Sequence, residues 1–260
     1  MKVVFIGAGN LATHLSKALN QSVFQIAQIF SHSERSAKEL SELLDVPYTT
    51  RIDNIIDDAS LYFLSVSDDA IESLSKNLNS TDGLVVHTAG CVPMKIFSGK
   101  FENFGVFYPL QTFSKKRSID FSNIPIFVEA NTQDNLHILQ NVAKSISQNV
   151  YTAESQERAQ LHLAAIFCCN FVNHFFHLSA KIVQQAGFDF NVLSSLISET
   201  ASKAIVSGNP KEVQTGPAIR NDIKVMQRHL ELLASNPQLQ EIYAIISENI
   251  KIAANYTDSH

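Results

Sequence analysis

A short apolar strand leads directly into a glycine-rich turn at the start of the chain. Residues 3–6 read VVFI, residues 7–12 read GAGNLA, and a helix-like stretch follows over residues 13–19. In a dinucleotide-binding βαβ unit, the first glycine permits a tight turn, the second lets the backbone approach a pyrophosphate, and a small third residue lets the helix lie close to the sheet. The unpaired N–H groups of the helix N-terminus then face the phosphates. The turn therefore predicts a cofactor-binding segment made of Gly7, Ala8, Gly9, Asn10 and Leu11.

The end of the second predicted strand indicates which dinucleotide is bound. An NAD site usually places Asp or Glu there to accept the ribose 2′-hydroxyl, whereas residues 31–35 read SHSER. Hydroxyl groups donate to a 2′-phosphate, and a guanidinium binds it through a planar, always-charged fork. We therefore predict NADP(H), with its 2′-phosphate on Ser31, Ser33 and Arg35. The alternative is an ordinary polar turn in which Ser31 caps the helix that follows.

Composition and charge narrow the class of protein. The 260 residues, 45% of them hydrophobic, are enough for two domains with buried cores. A net charge of −5 argues against a nucleic-acid-binding or anionic-membrane surface, and we expect no bilayer-spanning run and no signal peptide. The cysteines, Cys91, Cys168 and Cys169, lack metal-ligand spacing, which predicts no metal site and a reduced, cytoplasmic setting.

The first half of the chain alternates apolar strands with helices. The stretches 61–66 and 84–87 are nearly continuously apolar, which is typical of strands covered on both faces of a parallel sheet. We therefore predict an α/β fold, with a doubly wound, mostly parallel Rossmann sheet over residues 1–152. Ligands bind at the carboxyl ends of such strands. The nicotinamide of the cofactor is accordingly expected near Val66, Ser67, His87 and Thr88.

Long helical stretches replace the strands after residue 152, which predicts an all-α domain over residues 153–260. At ~100° per residue, one face of the stretch 154–185 is aromatic and the opposite face is polar but contains little Lys or Glu. We expect that polar face to meet a ligand or another protein surface; hydrogen-bonded residues in a helical dimer are the alternative. Its members are Arg158, His162, Cys169 and Asn173, flanked by Asn170 and His177.

A Gly-Pro pair precedes a later helix. Residues 215–222 read TGPAIRND, and Gly-Pro ahead of a helix sets a rigid entry turn. Asp222 and His229 share one helical face, and Arg220 lies in the turn. These residue types suit acid/base chemistry and anion binding, and they suit a salt-bridged helix cap equally well.

Six short motifs together resemble one protein family. The chain is similar, over nearly its whole length, to Rossmann-like proteins that join an NADP-binding domain to a small all-α domain within the 6-phosphogluconate-dehydrogenase-like superfamily, and distantly to pyrroline-5-carboxylate reductase. The resemblance implies a helical domain that commonly forms homodimers and a substrate cleft between the domains; it names no substrate. The motifs are GAGNLA at 7–12, SVSD at 65–68, HTAG at 87–90, YPLQTF at 108–113, HLAA at 162–165 with Asn170, and GPAIRND at 216–222.

Two catalytic patterns of more distant relatives are absent. The 3-hydroxyacid dehydrogenases place a Lys four residues before an Asn on the interdomain helix, where this chain has Ile166 and Cys169. Prephenate dehydrogenases carry a His-Pro pair where this chain has Tyr108 and Pro109, although Tyr108 could still donate a proton. These departures argue against transferring either mechanism.

The sequence as a whole predicts an NADP(H)-dependent oxidoreductase acting on a small polar or carboxylated C=O or C=N compound. We expect His162, or as a second choice His87, to donate the proton, Asn170 to orient the substrate and Arg220 to hold its anionic group. A non-catalytic NADP(H)-binding protein that senses redox state or binds a partner is the alternative. A degenerate nucleotide site is disfavoured, because both glycines and Ala12 are present.

Overall fold

The computed structural model describes residues 1–255, so the last residues of the predicted helical domain lie outside it. The chain forms two compact units, Met1–His174 and Phe175–His260. The change from strands to helices falls earlier, because the last strand ends at Thr152. The domain boundary after residue 152 stays a prediction.

The first unit contains an eight-stranded sheet in the order β3-β2-β1-β4-β5-β6-β7-β8. All pairings are parallel except that of β6 with β7, which is antiparallel. The chain winds outward in both directions from β1 and β4, and this reversal of strand order opens a crevice at their carboxyl ends. The predicted α/β fold is thereby confirmed. The strands are β1 (Lys2–Ile6), β2 (Gln25–Phe30), β3 (Tyr48–Thr49), β4 (Leu61–Leu64), β5 (Leu84–His87), β6 (Phe104–Pro109), β7 (Ile126–Ala130) and β8 (Val150–Thr152).

The helices follow the strands in the first unit and make up the regular structure of the second. In chain order they are α1 (Asn10–Asn20), α2 (Glu34–Leu44), α3 (Asp68–Asn77), α4 (Gln133–Lys144), α5 (Ser155–Ala165), α6 (Val172–Gln185), α7 (Ser194–Ser207), α8 (Ile223–Leu232) and α9 (Pro237–Asn255). Short 3-10 turns lie at Ile52–Asn54, Met94–Phe97 and Phe190–Leu193.

The core of the first unit lies on both faces of the sheet. Neighbouring residues of a strand point to opposite faces, so Phe5 of β1 belongs to one apolar cluster and Ile6 to the other. Phe5 stacks on Phe63 at 5.0 Å between ring centroids, and Phe63 meets Phe107 edge-on at 5.3 Å. Continuous apolar strands are therefore buried on both sides, as their sequence predicts.

The stretch predicted as one helix over residues 154–185 contains an irregularity. A π-helical segment, Ile166–Phe171, separates α5 from α6. In a π-helix the hydrogen bonds run from residue i to i+5, so a count at ~100° per residue does not carry across it. The assignment of Arg158 and Asn173 to one continuous face is therefore wrong.

The same helical stretch qualifies the membrane prediction. Ser155–Gln185 is long and apolar enough to cross a bilayer, with a mean hydropathy of 1.3. The expectation that no such run exists is therefore wrong by length and composition. One helix of this kind is weak evidence for a membrane span.

Candidate functional site: a dinucleotide pocket

A pocket of about 560 Å³ lies in the first unit where β1, β2, β4 and β5 end. Its volume falls within the usual range for small-molecule sites, roughly 300–1,000 Å³. The structure brings together every predicted cofactor-binding residue except Arg35 and His87, which do not line it. The predicted residues that line it are Gly7, Ala8, Gly9, Asn10, Leu11, Ser31, Ser33, Val66, Ser67 and Thr88.

The glycine turn has the geometry that a pyrophosphate requires. Gly7 adopts φ +119°, and a Cβ there would lie 2.1 Å from the carbonyl oxygen of Ser65. A Cβ at Gly9 would meet nothing within 4 Å, so this side of the backbone is open. Gly9 is also the N-cap of α1 and supplies no side-chain cap. The first N–H groups of α1 consequently lack intrahelical partners and suit an anion.

The turn after β2 retains hydroxyl hydrogens for a ligand. Ser33 caps α2 by accepting from the N–H of Ser36 at 3.3 Å, and Ser31 accepts from the N–H of Ser33 at 3.3 Å. The alternative reading named Ser31 as the helix cap, but the cap is Ser33. Because both hydroxyl oxygens accept in these bonds, their O–H groups remain able to donate to a phosphate.

Arg35 lies just outside the pocket on the first turn of α2. Its side chain is 89% exposed and pairs with Glu39 one turn later, at 2.8 Å. This hydrogen bond to Glu39 raises the pKa of Arg35, with the charge of Glu39 acting in the same direction. An exposed pair of this kind contributes little to stability because solvent screens it, so the guanidinium can leave Glu39 for a 2′-phosphate at little cost.

The donor set fits an NADP cofactor. The open N-terminus of α1 suits a pyrophosphate, and the hydroxyls of Ser31 and Ser33 with nearby Arg35 suit a 2′-phosphate. Asp68 is the acidic residue that lines the pocket, and it follows β4 rather than β2. The position that accepts the ribose 2′-hydroxyl in NAD sites therefore carries no carboxylate.

His87 is a buried structural residue. Its side chain is fully buried at the end of β5, and its Nδ1 accepts from the N–H of Ala89 at 3.2 Å. Burial, and then the charge of Arg158, lower the pKa of His87 to about 3, against an opposing effect of the Pro93 carbonyl. A neutral imidazole without access to the pocket is a poor proton donor, which disfavours the predicted catalytic and cofactor roles of His87.

His162 contacts Tyr108 within the first unit. Its Nδ1 lies 3.0 Å from the Tyr108 hydroxyl oxygen. Gly90 makes room for the ring, since a Cβ there would lie 2.6 Å from His162 Cγ and Nδ1. Burial raises the pKa of Tyr108 to about 12, and Cys91 and Asp68 act in the same direction, against Arg158. His162, a predicted proton donor, thus pairs with Tyr108, which was considered above only because it stands where prephenate dehydrogenases have a His.

Arg158 forms a buried ion pair that the sequence analysis missed. Its side chain is 1% exposed and pairs with Glu129 of β7, while Nη2 donates to the carbonyl of Val92 at 2.6 Å. Ser155 donates to the same carboxylate and accepts from the N–H of Met94 at 3.0 Å. These bonds fix the start of α5 against the loop that follows β5. The only sequence signal was the capping box formed by Glu154 and Glu157.

The remaining candidates lie away from the pocket lining. Asn170 is exposed in the π-helical segment of the first unit, and Arg220 is exposed in the second unit. Asp222 caps α8 by accepting from the N–H of Val225 at 3.2 Å, which confirms the helix cap and leaves its salt bridge a prediction. His229 Nδ1 lies 2.8 Å from the Tyr243 hydroxyl. Two residues of the acid/base set predicted for this segment, Asp222 and His229, are therefore already engaged in local hydrogen bonds.

Comparisons with known proteins match this chain to NADP oxidoreductases, which agrees with the cofactor that the pocket fits. Residues 2–89 match the family model described as NADP oxidoreductase, coenzyme F420-dependent, and residues 124–250 match DUF2520, a domain of unknown function. A proposed NADP oxidoreductase from Bacteroides fragilis is 42% identical, with a TM-score of 0.90 over 96% of this chain and 98% of that one. A comparison with curated proteins finds no match.

Two reductases share the fold at low identity. Pyrroline-5-carboxylate reductase from Streptococcus pyogenes is 16% identical, with a TM-score of 0.64 over 97% of this chain and 98% of that one. An imine reductase from Myxococcus stipitatus, in complex with NADP+, is 12% identical, with a TM-score of 0.65 over 98% of this chain and 93% of that one. At these identities the likeness shows the fold alone. The family matches confirm the predicted NADP cofactor.

Proposed function

The chain belongs to the family of NADP oxidoreductases that carry a C-terminal DUF2520 domain, and on that premise we propose that it transfers hydride between NADP(H) and a small polar or carboxylated C=O or C=N compound. The observation that carries the proposal is the pocket at the carboxyl ends of β1, β2, β4 and β5. That pocket combines an uncapped helix N-terminus with hydroxyl donors and no carboxylate at the end of β2.

The chain's own residues divide the work of binding. The first N–H groups of α1 hold the pyrophosphate, and Gly9 leaves the backbone open to it. Ser31, Ser33 and Arg35 bind the 2′-phosphate. When bound, NADPH supplies the hydride. The buried residues Thr88 and Ala89 line the end of the pocket after β5 and exclude water there.

A proton must accompany the hydride, and the pair His162 and Tyr108 supports its delivery. The pair adjoins Gly90, which directly follows the pocket residues Thr88 and Ala89. Proton transfer by a positioned side chain contributes typically 10²–10⁴-fold to a rate. A protein that only senses the cofactor would have no use for such a group, so the pair favours the reductase over the sensor.

A titration with two nucleotides tests the cofactor assignment. We expect NADPH to bind more tightly than NADH, and Arg35→Ala to weaken NADPH binding by about 10-fold, because one charge-assisted contact is worth about 1–2 kcal/mol. Lys38→Ala is the matched control, since Lys38 lies on the same helix and pairs with Glu42 in the same exposed way. Nicotinamide fluorescence reports both affinities.

Turnover separates the reductase from the sensor. NADPH consumption is measured with pyruvate, a small 2-oxo acid, and with 1-pyrroline, a small cyclic imine. We expect one of these substrate classes to be reduced. A protein that binds NADPH tightly and returns it unchanged from the whole series would be a sensor, and a protein that binds neither nucleotide would end the oxidoreductase proposal.

A further inference from the structure

Tyr108 and His162 are the strongest pair of titratable side chains that the binding proposal leaves unassigned. Tyr108 lies near the end of β6 and His162 on α5, more than fifty positions apart in the chain. Their rings meet at 66° with 6.1 Å between centroids, and Oη and Nδ1 are 3.0 Å apart. Tyr108 is buried and His162 is half-buried. The pair therefore joins a buried hydroxyl to a ring that reaches the surface of the unit.

The sheet places this pair beside the nucleotide pocket. β6 runs parallel to β5, so Tyr108 lies at the same edge of the sheet as Thr88 and Ala89, which line the pocket. Gly90, the next residue, packs against the His162 ring. Asp68 also lines the pocket, and its charge contributes to raising the pKa of Tyr108. These three observations place the pair beside the end of the pocket that lies away from the 2′-phosphate turn, next to its lining residues Thr88 and Ala89.

We infer that Tyr108 is the terminal proton donor of the reduction, and that His162 holds its hydroxyl group and returns the proton. This inference rests on the proposed function. It assigns the catalytic contact to Tyr108 and makes His162 a positioning and relay residue. From the sequence alone, His162 itself was the predicted donor.

Each bond in the proton step is accounted for. The Tyr108 O–H bond breaks, and the proton forms an N–H or O–H bond on the reduced imine nitrogen or carbonyl oxygen. His162 Nδ1–H then gives its proton to the Tyr108 oxygen, while Nε2 takes one from water and leaves hydroxide in the solvent. Proton exchange with solvent returns the ring to its Nδ1–H form before the next turnover. The two electrons arrive with the hydride on the substrate carbon, so the substrate is reduced and NADPH is oxidised to NADP+.

The direction of the hydrogen bond decides which residue touches the substrate. If His162 Nδ1–H donates to Tyr108 Oη, the hydroxyl hydrogen is free to point at a third atom. The buried hydroxyl stays protonated at neutral pH, since burial raises the pKa of Tyr108 to about 12. The half-buried His162 has the access to water that a relay needs.

Activity measurements test the assignment through matched variants. With pyruvate or 1-pyrroline, we expect Tyr108→Phe to lower kcat by about 10²–10⁴-fold and leave the NADPH dissociation constant unchanged. His162→Ala should lower kcat by about 10-fold, because the hydroxyl loses its holder but not its proton. Tyr151→Phe, at an exposed tyrosine of β8, is the control and should keep the full rate.

A second measurement needs no turnover. In protein labelled with 13Cζ-tyrosine, the NMR resonance lost in Tyr108→Phe identifies Tyr108. We expect that resonance to shift when NADP+, whose nicotinamide ring is positively charged, is added to saturation, and to shift less with NADPH, whose dihydronicotinamide ring is uncharged. It should also move in His162→Ala and in Gly90→Ala, where a Cβ displaces the ring. The Tyr151 resonance should stay in place throughout.

The outcomes separate this inference from the proposed function. If neither substrate is reduced, the reductase proposal fails, and the NMR resonance still decides whether Tyr108 lies beside the nicotinamide. A resonance that ignores saturating NADP+ overturns the inference. So does a Tyr108→Phe variant that keeps its rate while His162→Ala loses it, because His162 would then be the terminal donor.

Discussion

The two units of the chain differ sharply in what they bury. The first unit contains two apolar clusters, one on each face of its sheet, and nearly all of the buried hydrophobic side chains. Within the described part of the second unit, the buried hydrophobic residues are Ala218 and Met226. Large exposed ones there include Phe188, Val192, Leu196, Ile205, Val206, Leu232 and Ile246.

The two units therefore obtain their stability in different ways. A packed core must offset a conformational entropy of about 1–2 kcal/mol per ordered backbone residue, and the first unit has such a core. Two buried side chains cannot do this for the second unit. We therefore propose that its apolar helical surface is covered by a second copy of the chain, in line with the homodimer that the family resemblance implies.

The largest expected contrast between the units comes from glycines at positive φ. Gly7→Ala drives a Cβ into the Ser65 carbonyl from a strained backbone, and we expect a loss of about 5 kcal/mol. Gly208→Ala in the second unit has φ +66° but open space around the Cβ, so it should cost about 1 kcal/mol. Urea unfolding of both variants measures the contrast; equal losses would contradict it.

Ion pairs should separate the units next. Arg158→Met leaves the Glu129 carboxylate without its buried partner, and we expect a loss of about 4 kcal/mol. Lys203→Met removes an exposed pair with Glu199 in the second unit, which is worth less than about 1 kcal/mol. Thermal unfolding checks both. A harmless Arg158→Met would mean that the start of α5 is held mainly by other contacts.

If a second copy of the chain packs on the apolar helical surface of the second unit, a charge on that surface should weaken the dimer. Ile246→Asp puts a charge on the apolar helical surface. We expect the dissociation constant of the dimer to rise by about 100-fold, since burying a lone charge is costly. Val23→Asp, at an exposed apolar residue of the first unit, should leave the dimer intact. Sedimentation velocity over a dilution series reports both. A wild-type chain that is monomeric at every concentration would contradict the proposed packing of two copies.

The smallest effect concerns the pH dependence of the first unit. The folded pKa of His87 is about 3, below its ordinary value of 6.5, so the unfolded chain binds a proton first as the pH falls. The stability that a neutral His87 contributes is full above about pH 6.5 and declines towards pH 3, by about 2 kcal/mol at pH 5. Guanidinium unfolding at pH 7 and pH 5 should show this loss in wild type and not in His87→Leu. Parallel losses in both proteins would assign the acid sensitivity to other groups.

Local patterns predicted most of the fold and most of the residues that line the pocket. The strand-glycine-helix unit, the doubly wound sheet and the pocket residues from Gly7 to Leu11 depend on neighbours in sequence, so residue types and spacing were sufficient. Contacts between distant elements were not predictable in this way. The pairing of Tyr108 with His162 and the burial of Arg158 depend on where α5 meets the sheet. The π-helical segment has no sequence pattern of its own.

The antiparallel pairing of β6 with β7 determines how far along α5 His162 must lie in order to reach Tyr108. It reverses the chain, so that β8, parallel to β7, ends at the edge of the sheet opposite to the pocket. Helix α5 then returns, fixed at Arg158, and reaches His162 about 6 Å further along at a rise of ~1.5 Å per residue. The number of residues between Arg158 and His162 therefore fixes the position of the His162 ring. Substitutions between these two residues leave that position unchanged, whereas inserting one residue would turn His162 by ~100° around the helix axis.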